Sequence, residues 1–406
     1  MAAVGPRAPA PTASATAAGR PPAPRAQEGR PLLRALIVMP VATRRGGAEE
    51  QLCQLVEHRR EAGVAPAIAF LQDGPLVEWC RAEGVPAFVV EAGRVREAHR
   101  LAHAVRDLAR LARTQRAQLL VGWMAKGQLY GGLAAAAARL PSAWLQPGTP
   151  AGAVPIDRAA TALPARVVVT VSHTVDRAQR RLLPRRPRTV VHPAVDLARF
   201  DAARIGDPRA VRRRLGLPEH GLIVGAVGRL DRWKGFHVLL DVAPQMFARH
   251  PNATLVLVGG AHELDPSYAE ELHAQAARLG LGERVRLVGR QPNPEEWMQA
   301  MDVVVHTSQR EPFGMVVIEA MALGKPVLAA AEGGPSEIVT PGVDGLLAPH
   351  GDRPALTAAL QRLLADAPLR EALGAAAARR ARDFEVGAFA RRFGAVLAAA
   401  ALSPRR

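Results

Sequence analysis

Two successive series of short, β-branched segments, each alternating with helical patterns, constrain the fold of this chain most strongly. Strands alternating with helices are typical of a parallel sheet covered by helices on both faces. The sequence therefore predicts an α/β protein with two Rossmann-like, doubly wound lobes and a ligand site at the carboxyl ends of the strands, in the cleft between the lobes. The first series predicts strands at 35–39, 64–71, 87–90, 119–123, 142–145 and 166–171. The second series predicts strands at 222–227, 254–258, 285–288, 303–306 and 326–329.

The chain is long enough for more than one domain. Its 406 residues, 49% hydrophobic and 22% charged, predict two or three folded domains. We predict a disordered Ala/Pro/Arg-rich tail over residues 1–34, a first lobe over 35–195, a second lobe over 196–385 and a C-terminal helix over 386–406 that returns to the first lobe. The tail lacks the apolar core of a secretory signal. With only two cysteines, a disulfide scaffold is excluded and a cytoplasmic location is favoured.

Positive charge is concentrated at the two ends of the chain. The formal net charge is +16, and it is compatible with an anionic substrate, an anionic membrane surface or nucleic acid. No nucleic-acid-binding motif accompanies the charge, so nucleic acid is not an expected partner. Peripheral contact with an anionic membrane remains an alternative to an ordinary solvated surface that reflects Arg-rich composition.

The second lobe opens with a strand that runs into a glycine-containing loop, Val227-Gly-Arg-Leu-Asp-Arg-Trp-Lys-Gly235. Arg229 and Lys234 place two cations five residues apart at the carboxyl end of this strand. Glycine allows close approach of the backbone to a ligand, and the cations supply donors that suit a phosphate or diphosphate. An ordinary surface turn is the alternative interpretation of this segment.

A later segment of the same lobe carries two carboxylates. Glu311 follows a predicted strand, Gly314 opens a predicted helix, and Glu319 lies about two turns further along. Backbone amides near residues 313–316 would face an anion with the positive end of the helix dipole behind them. Carboxylates accept hydrogen bonds from vicinal hydroxyls. The combination suits a sugar phosphate or a nucleotide.

These residues resemble the retaining glycosyltransferases of the two-lobed GT-B architecture, specifically glycosyltransferase family four (glycosyl transferases group 1). The resemblance extends from about residue 36 to about residue 393 and is carried by Glu311, seven residues, Glu319 and the following Ala-Met-Ala-Leu-Gly-Lys-Pro-Val. It implies that the first lobe faces the acceptor and that the second binds a nucleotide-diphosphate sugar.

The resemblance also implies roles for individual residues. Arg229 and Lys234 would hold the donor diphosphate, Glu311 would contact hydroxyls of the transferred sugar, and Glu319 would bind the ribose. We therefore expect Glu311, Arg229 and Lys234 to be the catalytic group. The substrate-binding group expected from the resemblance consists of Gly46, Gly47, Phe313, Gly314, Met315, Val316, Glu319 and Arg290.

One position departs from the pattern of the family. In similar sequences the segment that begins at Trp144 often reads Gln-His-Gly at its end, and the histidine lies near the transferred sugar; here Pro147 stands at that position. A proline side chain can neither donate nor accept a hydrogen bond, so either another group such as Gln146 replaces the histidine or activity is reduced.

The implied reaction is transfer of a hexosyl unit from the nucleotide sugar to a hydroxyl acceptor, with retention of configuration. Cations and a helix dipole would stabilise the departing diphosphate, so we predict a metal-independent hexosyltransferase that needs no cofactor. Two alternatives remain: a catalytically silent relative that binds a nucleotide sugar, which Pro147 favours, and a sugar-nucleotide epimerase of the same architecture.

Overall fold

The computed structural model describes residues 31–44, 46–93, 97–150, 154–261 and 265–402. Most of the predicted tail lies outside these described residues. Its last residues do not: the first strand begins at Leu33, two residues earlier than expected, because Leu33 and Arg34 pair with Val64 and Ala65 of the neighbouring strand.

The first lobe contains a seven-stranded parallel sheet in the order β3-β2-β1-β4-β5-β6-β7. The order reverses between β1 and β4, where open α/β sheets form a ligand crevice. Its strands are β1 (Leu33–Met39), β2 (Val64–Phe70), β3 (Ala87–Val89), β4 (Leu119–Trp123), β5 (Ser142–Gln146), β6 (Val167–Thr170) and β7 (Arg188–Val190). The helices are α1 (Gly47–Glu57), α2 (Pro75–Ala82), α3 (Ala98–Thr114), α4 (Met124–Ala138), α5 (Pro155–Ala162) and α6 (His173–Gln179).

The second lobe contains a six-stranded parallel sheet in the order β10-β9-β8-β11-β12-β13. Its strands are β8 (Ile223–Val227), β9 (Thr254–Val258), β10 (Val285–Leu287), β11 (Val303–His306), β12 (Val327–Ala330) and β13 (Leu346–Ala348). The remaining helices are α7 (Ala202–Ile205), α8 (Pro208–Arg214), α9 (Phe236–Arg249), α10 (Ser267–Arg278), α11 (Pro294–Ala300), α12 (Met315–Ala322), α13 (Pro335–Ile338), α14 (Arg353–Ala365), α15 (Ala367–Ala381) and α16 (Val386–Leu402). The predicted α/β class with two Rossmann-like lobes is confirmed.

Strands β7 and β13 and helix α15 are among the elements that the sequence analysis did not predict. Strands β7 and β13 lie at the edges of their sheets and have only three residues each, too few for a pattern of alternating burial. Their pairing with β6 and β12 makes them strands. Helix α15 is rich in alanine and has almost no separation of polar and apolar faces, so it gives little periodic signal.

The apolar core continues from one sheet to the other. One cluster of buried side chains includes Ile37 of β1, Val304 of β11 and Phe393 of α16. Helix α16 packs against α1, β4 and β5 of the first lobe, and the ring of Phe393 meets that of Trp123 edge to face at 5.9 Å between centroids. Among the helices of the described residues, none is long and apolar enough to cross a membrane.

Candidate functional site

A cleft of about 1410 Å³ lies at the carboxyl ends of the strands of both sheets. The loops that follow β1 and β5 contribute from the first lobe, and those that follow β8 and β11 contribute from the second. All the residues predicted for the site line this one cleft, and they are Gly46, Gly47, Arg229, Lys234, Arg290, Glu311, Phe313, Gly314, Met315, Val316 and Glu319. Their contact with a substrate remains a prediction.

The centre of the second-lobe wall is a buried ion pair. Lys234 Nζ donates to Glu311 Oε2 over 2.6 Å, and the two side chains are 16% and 9% exposed. Lys234 is in this position because a short 3-10 turn, Arg232–Lys234, follows β8 and ends at Gly235 with φ of 73°. A Cβ at residue 235 would lie 2.5 Å from the carbonyl oxygen of Thr307, so only glycine allows this loop to pack on the end of β11.

Glu311 has a second ionisable neighbour. His306 ends β11, is buried, and places Nε2 3.2 Å from Glu311 Oε2 and 3.1 Å from Ser308 Oγ. Burial alone would raise the pKa of the Glu311 carboxyl, but Lys234 and His306 outweigh that effect and hold the pKa well below its usual range. Glu311 is therefore a carboxylate at neutral pH and can accept hydrogen bonds.

The first turn of α12 forms the adjoining part of the wall. Gly314 precedes the helix with φ of 110°, a conformation that favours glycine. The next two residues, Met315 and Val316, line the cleft together with Gly314. Gly333 and Gly334 let the following loop pack on this segment, since a Cβ at either position would come within 2.2 Å of the backbone of Glu311 or Phe313. Backbone amides at the start of a helix have no intrahelical acceptors and can donate to an anion, and the first residues of α12, Met315 and Val316, line the cleft.

Glu319 lies deeper on α12 among other carboxylates. Burial and the charges of Glu50 and Glu295 raise its pKa to about 7, although Arg199 and Lys234 act in the opposite direction. The folded protein thus favours the protonated form of Glu319. The contribution of this group to stability is fully present below its unfolded pKa and is lost as pH rises through its folded pKa.

We expect Glu319→Gln to raise the free energy of unfolding relative to the original protein above pH 7, by about 2 to 3 kcal/mol at pH 8.5, and to change it little at pH 4. The amide avoids the cost of ionising a partly buried carboxyl that lies near the charges of Glu50 and Glu295. Urea denaturation at the two pH values measures the difference. The same substitution at the exposed Glu371 serves as the control, and an equal effect of Glu319→Gln at both pH values would contradict the assignment.

Residues from the first lobe approach α12 closely. A Cβ added to Gly47, the first residue of α1, would lie 3.0 Å from Cγ of Met315. Arg290 Nη2, after β10, donates to the carbonyl oxygen of Arg44 over 2.9 Å. The loop that contains Gly46 and Gly47 thus allows the two lobes to approach each other where the predicted diphosphate and sugar sites adjoin.

Arg229 lines the same cleft, two residues after the end of β8. Its Nε donates to Asp231 Oδ2 over 2.6 Å, and its side chain is 38% exposed. This bond orients the guanidinium group at the cleft wall. Arg229 therefore remains accessible to an anionic ligand, in contrast to the more buried Lys234.

Several charged cleft residues were missed by the sequence analysis. Arg199 Nη2 donates to Glu295 Oε2 over 2.9 Å, and its Nη1 lies 3.8 Å from Glu50 Oε1. These three residues belong to separate segments, and no short motif joins them. His306 was also given no role, although its position at the carboxyl end of a buried strand was a usable signal.

Pro147 lines the cleft at the end of β5. The preceding Gln146 is buried, and its Nε2 lies 3.5 Å from Asp157 Oδ1. Gln146 therefore borders the cleft while its side-chain amide lies near α5. At residue 147, Pro147 provides no hydrogen-bonding side chain in place of the histidine that is common in similar sequences.

A second histidine–carboxylate group lies where the lobes join. Glu337 accepts from the backbone N–H groups of His173 and Thr174 over 2.8 and 2.7 Å, and His192 Nε2 lies 3.6 Å away. The ring of His192 stacks on Phe313 at 5.5 Å between centroids. Glu337 of the second lobe thus accepts hydrogen bonds from the first backbone N–H groups of α6 in the first lobe. Ligand atoms of His173, His192 and Glu337 lie within 4.8 Å of one another, but the Glu337 oxygens already accept several bonds.

This contact predicts a pH-dependent stability. Burial would raise the pKa of Glu337, but His192 and the amides of His173 and Thr174 lower it to about 2. The contribution to stability is therefore present above the unfolded pKa and is lost as pH falls through the folded pKa.

We expect Glu337→Gln to lower the free energy of unfolding by about 2 to 3 kcal/mol at pH 7, and the loss to fall by more than half at about pH 3. Chemical denaturation at both pH values provides the measurement. Glu332→Gln, in the preceding loop, is the matched control. A loss that is independent of pH would mean that packing, and not charge, explains the role of Glu337.

The second lobe of the chain is similar in sequence to known glycosyltransferases. The family profile described as glycosyl transferases group 1 matches residues 207–380. A D-inositol 3-phosphate glycosyltransferase of Salinispora tropica is 40% identical over 204 residues, which are 48% of this chain and 42% of that protein. A second one, from Catenulispora acidiphila, is 40% identical over 210 residues, or 50% and 49% of the two chains. The chain thus spans about half the length of the curated relatives it matches.

Solved structures extend the similarity to both lobes. The crystal structure of Anabaena Alr3699/HepE in complex with UDP and glucose has a TM-score of 0.80 and 27% identity, and the match covers 90% of this chain and 99% of that one. Sucrose-phosphate synthase of Thermosynechococcus elongatus, at 23% identity, has a TM-score of 0.73 over 90% and 98% of the chains and supports the fold alone. Two Rossmann-like lobes with a charged cleft between them identify the fold as GT-B, and residues 207–380 of the second lobe match the group 1 glycosyltransferase family.

Proposed function

We propose that this protein transfers a hexosyl unit from a nucleoside-diphosphate sugar to a hydroxyl acceptor, with retention of configuration. The observation that carries the proposal is the Lys234–Glu311 pair, 2.6 Å apart and buried at the wall of the interlobe cleft. It places a cation suited to a diphosphate directly beside a carboxylate suited to sugar hydroxyls.

Stabilisation of the leaving group is the main chemical task in this proposal. When the bond between the anomeric carbon and the diphosphate breaks, negative charge grows on the diphosphate oxygen. Lys234, Arg229 and the first amides of α12 lie on one wall of the cleft, where fixed donors stabilise such charge. The departing oxygen accepts the proton of the attacking hydroxyl on the same face, which accounts for retention without a protein base.

The other predicted residues have binding roles in this proposal. Glu311 accepts hydrogen bonds from the transferred sugar, and Glu319 accepts them from the ribose. The segment 313–316 contacts the sugar and phosphate through its backbone, and Arg290 lies beside the base. Gly46 and Gly47 leave room for the acceptor to reach the donor, since a larger residue at 47 would press on Met315.

A uridine nucleotide is the first donor to test, because the similar HepE structure contains UDP and glucose. We expect UDP-glucose to raise the melting temperature more than GDP- or ADP-glucose. A ligand at a hundred times its dissociation constant adds about 2.7 kcal/mol. Product analysis by NMR then identifies the anomeric configuration. An inverted product, or no stabilisation by any of the three donors, would refute the proposal.

Pro147 favours one other function, a nucleotide-sugar-binding protein without turnover. Transfer to added acceptors, or slow hydrolysis of the bound donor, decides between the two. Turnover by the purified protein excludes the silent relative, whereas donor binding with no turnover favours it. If the original protein binds the donor without turnover, recovery of turnover in Pro147→His would show that Pro147 is the cause.

We also propose a peripheral contact with an anionic membrane at its cytoplasmic face. Residues 157–188 contain eight Arg and two Asp. Within them Leu183 is 71% exposed and is flanked by the exposed Arg181 and Arg185. An apolar side chain between cations suits a surface of anionic headgroups, where each basic residue contributes up to about 1 kcal/mol.

We expect the protein to co-sediment with anionic liposomes at low salt and to dissociate at high salt, because the attraction is screened over about 8 Å at physiological ionic strength. Arg181→Gln/Arg185→Gln should weaken the sedimentation, whereas Arg110→Gln, on α3, should not. Equal sedimentation with neutral and anionic liposomes would remove the proposal and leave the arginines as a solvated surface.

A further inference from the structure

A second cavity, of about 580 Å³, adjoins the cleft in the first lobe. Gln72 lines both cavities. Met124 and Ala125 line the cleft, and the next residue, Lys126, lines the second cavity. A molecule whose hydroxyl group lies in the cleft can therefore extend into the second cavity without crossing the protein core.

The position of the cavity follows from the sheet topology. Lys126 lies in the first turn of α4, directly after β4, and β4 is the strand at which the order of the first sheet reverses. Ligands bind in this crevice in open α/β sheets. Gly127 lets α4 approach β1 closely, since a Cβ there would lie 2.4 Å from the carbonyl oxygen of Val38. The ammonium group is thus carried by a tightly packed part of the fold.

Lys126 is the least exposed of the ionisable side chains that line this cavity. Its Nζ lies 3.4 Å from the carbonyl oxygen of Gly93, and the described residues provide it with no carboxylate within ion-pair distance. Burial lowers the pKa of Lys126. A partly buried cation without an anionic neighbour gains from an anion that enters beside it.

The rim of the cavity has a different character. Asp73, Glu91, Arg100 and His103 line it and are exposed, and Arg100 Nε is paired with Glu97 at 3.3 Å. The carboxylates at the rim can accept hydrogen bonds from hydroxyls. A half-buried cation with exposed carboxylates around it matches a molecule that carries both an anionic group and several hydroxyls.

We propose that Lys126 binds a phosphate group of the acceptor, and that the acceptor is a phosphorylated polyhydroxy compound whose reactive hydroxyl lies in the cleft. This inference rests on the proposed function, because it assigns the acceptor of that same reaction. The phosphate can belong to a small sugar or polyol phosphate, or to a lipid-linked sugar with a diphosphate, and the two sources share the same chemistry at Lys126.

The test uses full-length protein saturated with UDP, so that the donor site is occupied. Titration calorimetry compares myo-inositol monophosphate with myo-inositol, and geranyl diphosphate with geraniol. We expect the original protein to bind at least one phosphorylated probe about tenfold or more tightly than its neutral partner, as a charge-assisted hydrogen bond allows. Preference in the first pair indicates a small phosphorylated acceptor, and preference in the second indicates a lipid-linked one.

Lys126→Gln should abolish that preference, Lys126→Arg should keep most of it, and Arg110→Gln, outside the cavity on α3, should leave it unchanged. Circular dichroism and UDP affinity confirm that each variant is folded. The inference is overturned by an original protein without preference for either phosphorylated probe, or by a preference that survives in Lys126→Gln. Failure of the proposed function is a separate result, because it would appear as an absence of UDP binding and of donor turnover in the original protein.

Discussion

Lys234→Ala should lower the free energy of unfolding by about 3 to 5 kcal/mol, because it leaves the buried Glu311 carboxylate without its cation. The two groups are 2.6 Å apart and both side chains are mostly shielded from water. The same substitution should weaken UDP binding, since Lys234 is the cation proposed to contact the diphosphate. Urea denaturation and titration calorimetry with UDP measure the two effects separately.

Two controls separate the charge effect from a general loss of packing. Lys234→Met/Glu311→Leu removes both charges, so it should recover much of the stability and still bind UDP weakly. Arg214→Ala breaks an exposed pair, 3.3 Å from Glu296, and should cost at most about 1 kcal/mol. Normal UDP affinity in Lys234→Ala would show that this lysine has only a structural role.

Glu311→Gln should lower turnover about 100-fold while UDP affinity is kept or increased. The carboxylate is the proposed acceptor for hydroxyls of the transferred sugar, and loss of a charged hydrogen bond costs about 1.5 to 3 kcal/mol, or roughly 10- to 150-fold in rate. Its removal also frees Lys234 from a competing anion at 2.6 Å, which favours binding of the diphosphate. Steady-state kinetics with the donor and calorimetry with free UDP provide the two values.

Glu332→Gln is the matched control, because it removes a carboxylate from the nearby loop that does not line the cleft. It should leave both values close to those of the original protein. A parallel loss of UDP affinity and turnover in Glu311→Gln would assign this residue to the structure of the loop and not to the sugar.

The central strands were predicted closely because they are buried along their whole length and consist mostly of apolar residues. Residues 119–123, 254–258 and 303–306 have the same bounds in the sequence analysis and in the structure. Their continuous runs of β-branched and apolar residues are typical of parallel strands covered on both faces. The edge strands β7 and β13 were missed, since their pairing depends on the neighbouring strand more than on their own residues.

The residues of the candidate site were found from loops that follow these strands. Because carboxyl ends of parallel strands meet at one edge of a sheet, the loops after β8 and β11 had to lie close together. The contact between Lys234 and Glu311 could not be derived in this way, since 77 positions separate them along the chain. The contact of Arg199 with Glu295, 96 positions apart, was missed for the same reason, whereas His306 lies only five positions from Glu311.

The α/β class, the two lobes and the loops that form the cleft follow from the amino-acid sequence alone, because periodic burial and glycine positions are local properties of the chain. Which charges meet, such as Lys234 with Glu311 and Glu337 with the start of α6, depends on the tertiary structure. It also decided that the pKa of Glu319 is raised and that Lys126 lines a cavity beside the cleft. These properties depend on distance and on exclusion of water, which arise when segments remote in sequence pack together.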